Sequence, residues 1–312
     1  MRRTATGMIR HLLFGSGVLR QIARHHRCGV ILMFHDVEQE SAEEFRRLLR
    51  YLSDSFTIVS LEHLLDELTG DHSPSSMLVA LTFDDGLRNQ RTVVYPILSD
   101  LRLPATFYVC PGLIGRATTT WTWEMWCRLP WLPETVRQEL FEGEIGAVDP
   151  ETITNWMKGL PLHKRTQLEQ EIRARSPDFS YTERERNRYE IMSWAELAEL
   201  DPSLINIGSH TMTHPDLPQV DRDALIHELK DSQALLETRL ARSVRDLAYP
   251  NGNHNDVVAG AAADVYRSAV TTICGGVHPG DSRYTLKRIG ATINPEWTSW
   301  LLATHTSRTH RC

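Results

Sequence analysis

The stretch that most constrains the fold is MLVALTFDDG, residues 77–86, because it joins a buried-strand pattern to two adjacent carboxylates. Six of the seven residues from Met77 to Phe83 are apolar, which is typical of a strand covered on both faces. Asp84, Asp85 and Gly86 follow where that strand must turn. In a parallel α/β sheet or barrel, the loop after a strand's carboxyl end carries the functional groups. The two carboxylates repel each other, so we expect a cation or a retained proton there, unless this is simply an Asp-Gly turn.

Strand-like and helix-like segments alternate along most of the chain. Short apolar runs typical of strands occur at 30–34, 56–59, 77–83, 105–110, 204–209, 247–249, 269–273 and 284–289. Helical spacing lies between them, at 41–52, 61–68, 89–101, 193–200, 221–240, 254–264 and 295–303. This alternation predicts an α/β fold with a parallel sheet. Ser41 and Glu44 have the spacing of a capping box, which predicts the start of the first of these helices.

The segment 113–190 has a different character. It contains few strand-like runs, and helical spacing at 134–142 and 163–175 predicts a helical insertion. Five tryptophans crowd it, namely Trp121, Trp123, Trp126, Trp131 and Trp156. They either form a small core of their own or line a groove for a sugar, and we favour core packing because aromatic side chains supply large buried areas.

Length and composition are those of an ordinary globular protein: the 312 residues are 41% hydrophobic and 24% charged. The formal net charge is −6, so no domain-wide basic excess exists and we expect no nucleic-acid partner. The cysteines are odd in number and lack CxxC spacing, so we expect free thiols and a cytoplasmic location. They are Cys28, Cys110, Cys127, Cys274 and Cys312.

The first 27 residues form a basic helical segment, 1–27, with six arginines between apolar residues. Only three apolar residues in a row precede Gly15, which is too few for the centre of a signal peptide, and nothing approaches the length of a membrane span. A basic amphipathic segment can make peripheral contact with an anionic membrane surface. A helix packed on the domain, or a loose terminus, is the alternative.

A second motif has the spacing of metal ligands. His210 and His214, in SHTMTH, are four residues apart, so one helical turn or tight loop can point both rings the same way. Imidazole nitrogens suit zinc and similar ions. Two histidines and one aspartate of the first motif would make a three-ligand site that keeps a position open for water. The other aspartate would then be available as a base, because adjacent side chains on a strand point to opposite sides.

Together these motifs resemble the polysaccharide deacetylase (NodB-homology) family, carbohydrate esterase family four. The motifs are TFDDG, SHTMTH and AYPNG in this order, supported by ILMFHDV, PATFYV, MSWAEL and TLKRIGA. The resemblance covers about 29–295 apart from the insertion. It implies a distorted (β/α) barrel of about seven parallel strands within 28–305. It also implies one divalent metal ion, most often zinc, and an acetylated glycan or glycolipid as substrate.

The resemblance assigns roles by position. Asp84 corresponds to the catalytic base, and a backbone N–H near Asn251, beside Tyr249, corresponds to the donor that holds the oxyanion. The residues that correspond to the metal ligands are Asp85, His210 and His214.

The chain departs from the family pattern at three places. Many members carry an arginine and a tyrosine around the third motif, where this chain has Ala248 and Asn251. Arg288, in LKRIG, is then expected to supply the positive charge near Asp84. The late motif with a histidine acid is not recognisable after residue 290, and some relatives take the acid from a histidine after the first strand, here His35.

The chemistry of amide cleavage also favours His35 as the acid. The departing nitrogen needs a proton, because an amine anion is a very poor leaving group. His35 follows a buried strand, and a barrel presents such side chains at the mouth of its active site. His254 and His278, each after a later strand, are the competitors, and a histidine that only hydrogen-bonds Asp36 is the other possibility.

We therefore predict a metal-dependent hydrolase that removes N-acetyl groups from amino sugars of a polysaccharide or glycolipid. An O-acetyl carbohydrate esterase on a similar barrel is the first alternative. A glycan-binding protein with impaired catalysis is the second, and the presence of all four motif residues argues against it.

Overall fold

Seven parallel strands close into a barrel in this computed structural model, which describes residues 5–69, 74–116, 118–146 and 149–306. The sheet contains these seven strands and a short eighth, β2: they are β1 (Gly29–Phe34), β2 (Thr57–Ile58), β3 (Leu78–Phe83), β4 (Ala105–Val109), β5 (Ile205–Ser209), β6 (Asp246–Ala248), β7 (Ser268–Cys274) and β8 (Leu286–Gly290). The order is β1-β8-β7-β6-β5-β4-β3, and β1 pairs with β3 to close the ring. β2 pairs only with the first two residues of β3. The predicted distorted (β/α) barrel is therefore confirmed.

The barrel is distorted because its pairings are unequal. β1 and β3 pair along all six residues, whereas β5 and β6 share one pair, Ser209 with Leu247. All neighbouring strands are parallel, so the loops after β1, β3, β5, β6 and β8 meet at one end. That end is where the sequence concentrates its polar motifs.

Both faces of the strands are buried, as the apolar runs predicted. Val30 and Leu32 of β1 pack against the surrounding helices, whereas Ile31 packs in a second cluster with Ala80 and Tyr108 of neighbouring strands. The period of two along a strand thus separates an outer core from the interior of the barrel.

The helices surround the barrel. The α-helices are Ala5–Gly15, Val18–His25, Ala42–Ser55, Leu61–Glu67, Tyr95–Leu101, Trp121–Arg128, Glu134–Arg137, Gly143–Ile145, Pro150–Lys158, Leu162–Arg175, Glu183–Tyr189, Trp194–Ala198, Arg222–Ile226, Ser232–Leu240, Asp256–Ala263 and Pro295–Thr304. Wider π-type turns occur at Gln90–Val94, Gln138–Glu142 and His227–Asp231. Short 3₁₀ turns occur at Gln39–Ser41, Pro111–Leu113, Leu129–Trp131, Leu217–Gln219 and Pro250–Gly252.

Both predicted helices begin directly after the predicted serine, at Ala42 and at Trp194, but only the second has the predicted cap. The capping box at Ser41 is wrong: this residue ends a 3₁₀ turn with φ −97° and ψ 2°, so it lacks the extended backbone of an N-cap and its side chain caps no N–H. The capped helix predicted at 193–200 is confirmed. Ser193 and Glu196 form a capping box there, with each side chain bonded to the other residue's backbone N–H.

The insertion and the amino-terminal segment are both helical in their described parts. Insertion helices share a satellite core that includes Trp121, Met125 and Phe141. The two amino-terminal helices lie beside Pro295–Thr304, and Leu19 is buried. Residues 1–4, 117 and 147–148 of these two segments lie outside the described residues.

Two smaller expectations concern cysteines and membrane spans. Cys28, Cys110 and Cys127 are buried free thiols. Burial raises the pKa of the Cys28 thiol to about 12. Cys312 lies outside the described residues. Within the described ranges, every helix is too short or too polar to cross a bilayer.

Candidate metal and catalytic centre

The two aspartates of TFDDG lie in the sharp turn that follows β3. Asp85 and Gly86 both have left-handed backbone conformations, with φ of 73° and 68°. A Cβ on Gly86 would lie 3.0 Å from a side-chain atom of Val109, so the position favours glycine for its space as well as its conformation. The turn separates the two carboxylates, since Asp84 faces Arg288 and Asp85 faces two histidines.

His210 and His214 lie in a tight loop after β5 that hydroxyl groups hold in place. Ser209 Oγ accepts from the Thr211 N–H, and Thr211 Oγ1 accepts from the His214 N–H, each at 3.1 Å. Thr211 and His214 have φ of 67° and 63°, which is costly for residues with a Cβ. The hydrogen bonds offset that strain and orient both rings toward the loop after β3.

Asp85, His210 and His214 come together as a buried group. Asp85 Oδ1 lies 3.6 Å from His210 Nε2 and 3.5 Å from His214 Nε2. The three potential ligand atoms lie within 4.8 Å of one another. Ligand atoms at about 2.1 Å from one tetrahedral ion would be separated by about 3.4 Å, so these spacings suit a single metal ion.

The protonation states of this group also fit a metal. His210 Nδ1 lies 2.7 Å from Ala248 O, so Nδ1 donates its proton there and Nε2 keeps a lone pair toward Asp85. Burial and the neighbouring His210 ring lower the pKa of His214 to about 3, so its imidazole is neutral at pH 7. Asp85 Oδ1 is buried without a hydrogen-bond donor among the described residues. Ligand atoms that converge in this way around a carboxylate oxygen without a hydrogen-bond partner are suited to a divalent cation.

Asp84 forms a buried ion pair with Arg288. Arg288 Nη1 and Nη2 donate to the two carboxylate oxygens, each at 2.7 Å, and Nε donates to Thr271 O at 2.7 Å. Burial alone would raise the pKa of Asp84, but the guanidinium outweighs it and holds the pKa below the ordinary value. Asp84 is therefore an ionised carboxylate beside the Asp85 cluster.

His35 lies in the same pocket, directly after β1. Its ring packs edge-on against Trp123, with centroids 6.3 Å apart. Gln90 Nε2 donates to His35 O at 2.8 Å and to Asp84 O at 2.6 Å. One side chain thus fixes the loops after β1 and β3 relative to each other.

The structure separates His35 from one of its competitors. His278 follows the residue whose backbone pairs with Gly29, the first residue of β1, so it lies at the amino-terminal end of the barrel, opposite the pocket. Asp36, the other suggested partner of the His35 ring, pairs with Arg188.

Of the two residues expected near the oxyanion, Asn251 lines the pocket and Tyr249 does not. Side chains alternate between the inside and the outside of the barrel along β6, and Tyr249, directly after β6, points outward into the outer core. Its hydroxyl donates to Tyr284 O at 2.9 Å. Its ring stacks on His254, the second competitor of His35. The side chain of Tyr249 therefore lies away from the place where the oxyanion is expected. Asn251 Nδ2 is buried without an acceptor among the described residues.

A pocket with a volume of about 800 Å³ is lined by His35, Asp84, Asp85, His210, His214 and Asn251. One wall consists of barrel loops, and the insertion forms the other. The insertion residues in this wall are Thr122, Trp123, Trp126, Thr154, Asn155, Lys158, Arg188 and Tyr189. The tryptophans have two different roles. Trp121 and Trp156 belong to the satellite core, which is the core packing that we favoured. Trp123 and Trp126 line the pocket.

Trp123 is the site residue that the sequence analysis missed. Its Nε1 donates to Asp85 Oδ2 at 2.7 Å, and its ring stacks on Tyr189 with centroids 4.6 Å apart and planes at 17°. The insertion thus holds the Asp85 oxygen that faces away from the histidines. The crowding of tryptophans was the only sequence signal, and it does not distinguish Trp123 from the others.

Comparisons with known proteins agree with these motifs. A family model described as Polysaccharide deacetylase matches residues 71–149 and 163–269. YxkH of Bacillus subtilis strain 168, which is named as a candidate polysaccharide deacetylase, is 21% identical over 266 residues. That match covers 83% of this chain and 70% of YxkH.

Solved structures share the fold. The deacetylase PplD of Streptococcus pyogenes, solved in complex with acetate, is 21% identical with a TM-score of 0.59, over 90% of this chain and 98% of PplD. IcaB from Ammonifex degensii is 18% identical with a TM-score of 0.58, over 88% of this chain and 97% of IcaB. At 21% and 18% identity, this similarity shows a shared barrel fold alone.

Proposed function

The chain belongs to the polysaccharide deacetylase family, and from that premise we propose that it is a metal-dependent hydrolase that removes N-acetyl groups from amino sugars of a glycan or glycolipid. The observation that carries the proposal is the meeting of two buried groups at one pocket. These are the ionised Asp84–Arg288 pair and the acceptor cluster of Asp85, His210 and His214.

The acceptor cluster would hold one divalent ion, with zinc suited to its donor set. When bound, such an ion supplies Lewis acidity that polarises the acetyl carbonyl and makes a water molecule more acidic. His210 is kept in the ligating tautomer by Ala248 O, and Asp85 is oriented by Trp123.

Asp84 acts as the general base in this proposal. It is ionised because Arg288 holds its pKa low, and each oxygen keeps a lone pair that the guanidinium does not use. Asp84 takes a proton from the attacking water as the oxygen bonds to the acetyl carbon. Asn251, whose buried Nδ2 lacks an acceptor in the described structure, donates to the oxygen that becomes negative.

His35 acts as the general acid. It delivers a proton to the sugar nitrogen as the C–N bond breaks, so the products are acetate and a free amine. Its place after β1 puts it in the pocket that Asp84 and Asp85 share.

The pocket suits a sugar ring. Its volume of about 800 Å³ is within the range of small-molecule sites, and Trp123, Trp126 and Tyr189 give one wall aromatic faces. Aromatic side chains pack well against the apolar face of a ring while polar groups at the wall satisfy its hydroxyls.

The test is acetate release from N-acetylglucosamine oligomers and from acetylated xylan, with and without a chelator. We expect release from the oligomers, loss of that release with chelator, and its return when zinc is added. Asp84→Asn should keep the metal and lose the rate, whereas Asp85→Asn should lose both. If acetate is released from xylan alone, the protein is an O-acetyl esterase and the proposed N-acetyl specificity is wrong. If release continues in the presence of chelator, the proposed dependence on a metal ion is wrong.

A further inference from the structure

The amino-terminal segment 1–27, which includes the first two helices, has a charge pattern unlike the rest of the protein. Residues 1–27 contain six arginines and three histidines, and all 40 acidic side chains lie after them. The whole chain nevertheless has a net charge of −6. The segment is therefore a concentrated basic region on an acidic protein.

The same helices hold five of the ten large apolar side chains that are exposed in the described structure: Met8, Ile9, Leu12, Val18 and Ile22. Met8 and Leu12 are one helical turn apart, as are Val18 and Ile22, so each pair shares a helix face. Ile9 is 54% exposed and Leu12 65% exposed. Apolar side chains at this density on a surface mark an interaction site.

These helices are packed on the body of the protein, so the exposure does not come from a detached segment. Leu19 and Ala23 are each 1% exposed on the inner side of the second helix. Arg10 Nε lies 3.0 Å from Glu296 Oε1, and its guanidinium stacks over the Trp297 ring at 4.4 Å. The segment thus has an inner face that packs and an outer face that is apolar.

We propose that this outer face docks on an anionic lipid bilayer. Basic charge attracts the surface of such a bilayer, and apolar side chains enter the boundary between headgroups and acyl chains. A second copy of the chain is a poorer occupant, because a two-fold contact through this face would bring two copies of the same basic segment together. Trp297, 38% exposed at the edge of the face, is a residue type suited to a membrane interface.

The packed side of the segment contacts the helix that follows the pocket lining in sequence. Ile293 lines the pocket, and Pro295 begins the helix whose first turn holds Arg10 through Glu296. The inference itself does not depend on the proposed function.

The test is cosedimentation of the full chain with vesicles of pure phosphatidylcholine and of phosphatidylcholine mixed with phosphatidylglycerol. We expect binding to the mixed vesicles that weakens as salt is added, and little binding to the neutral ones. Ile9→Glu/Leu12→Glu should lower partitioning at least about tenfold, because it places carboxylates at the apolar contact. Both side chains are exposed, so folding should be unaffected, which a thermal melt checks.

Val257→Glu is the matched control, since Val257 is 70% exposed on another helix, and it should bind as the wild type does. Absence of wild-type binding to mixed vesicles, equal binding to neutral vesicles, or an equal loss in Val257→Glu would overturn the proposal. So would light scattering that shows a dimer which Ile9→Glu/Leu12→Glu dissociates, because the face would then pair with itself.

Discussion

The Asp84–Arg288 pair is the residue contact on which both stability and chemistry depend. Both side chains are almost fully buried, and each of the three guanidinium nitrogens donates a hydrogen bond, to Asp84, Thr82 or Thr271. Removal of one partner from a buried pair leaves an uncompensated charge, which costs more than the pair itself contributes. The low pKa of Asp84 is a consequence of the same contact.

Arg288→Met should therefore lower the free energy of unfolding by about 3–5 kcal/mol. In the double variant Asp84→Asn/Arg288→Met, the free energy of unfolding should fall by less than the sum of the losses in the two single variants. Urea denaturation of the four proteins measures this coupling. Arg91→Met is the matched control, because the Arg91–Glu199 pair is more exposed and should contribute at most about 1 kcal/mol. Strict additivity at Asp84 and Arg288 would contradict the prediction.

His35→Ala should lower turnover of an N-acetyl substrate by about 10²–10⁴-fold and leave metal binding intact. An O-acetyl substrate should lose less, since an alkoxide leaving group needs the proton less than an amine. Steady-state rates on both substrates measure this, with metal content as the check. His254→Ala is the control, because that ring stacks on Tyr249 outside the pocket lining. Equal losses on both substrates would exclude His35 as the acid.

At the scale of elements, the site is assembled from loops that reach it from different strands and from one inserted helix. The helix Trp121–Arg128 sets Trp123 between Tyr189 and Asp85, so packing in the insertion determines the position of a carboxylate in the barrel. A hydrogen bond to the outer oxygen of a ligating carboxylate adjusts its orientation and basicity.

Trp123→Phe keeps an aromatic ring on Tyr189 but removes the Nε1–H that Asp85 Oδ2 accepts. We expect zinc affinity to fall by about 10–100-fold, measured by titration against a competing chelator. Trp126→Phe, which changes a second tryptophan in the same wall, should leave the affinity near that of the wild type. The role assigned to the Trp123 hydrogen bond would be wrong if both variants lost affinity equally.

At the scale of the whole molecule, the metal cluster joins the loops after β3 and β5, so an ion bound there should stabilise the fold. Zinc at about 1,000 times its dissociation constant should add about 4 kcal/mol and raise the melting temperature. Thermal melts across a zinc series measure this, and Asp85→Asn should flatten the response. A wild-type melting temperature independent of zinc would contradict a structural role for the ion.

The sequence by itself determined the barrel and most of its catalytic end. Continuous apolar runs, helical segments between them and carboxylates or histidines after the runs are local patterns, and local backbone geometry turns them into strand, helix and loop. The direction of the Arg288 side chain also follows from a local pattern. Arg288 lies two residues after Leu286 on β8, and Leu286 faces the interior of the barrel, so Arg288 points to the same side. The observed contact with Asp84 follows from that alternation and from the closed ring.

Only the tertiary structure decided which residues outside the motifs reach the pocket. Trp123 and Trp121 are two residues apart with the same side chain, yet one binds Asp85 and the other packs in the satellite core. Tyr249 lies within a recognisable motif but faces the outer core. Ser41 has the residue type of a helix cap but the backbone of a 3₁₀ turn. For the tryptophans and Tyr249 the outcome depends on how elements distant in sequence pack together, and that packing free energy outweighs the local preference on which a sequence pattern depends.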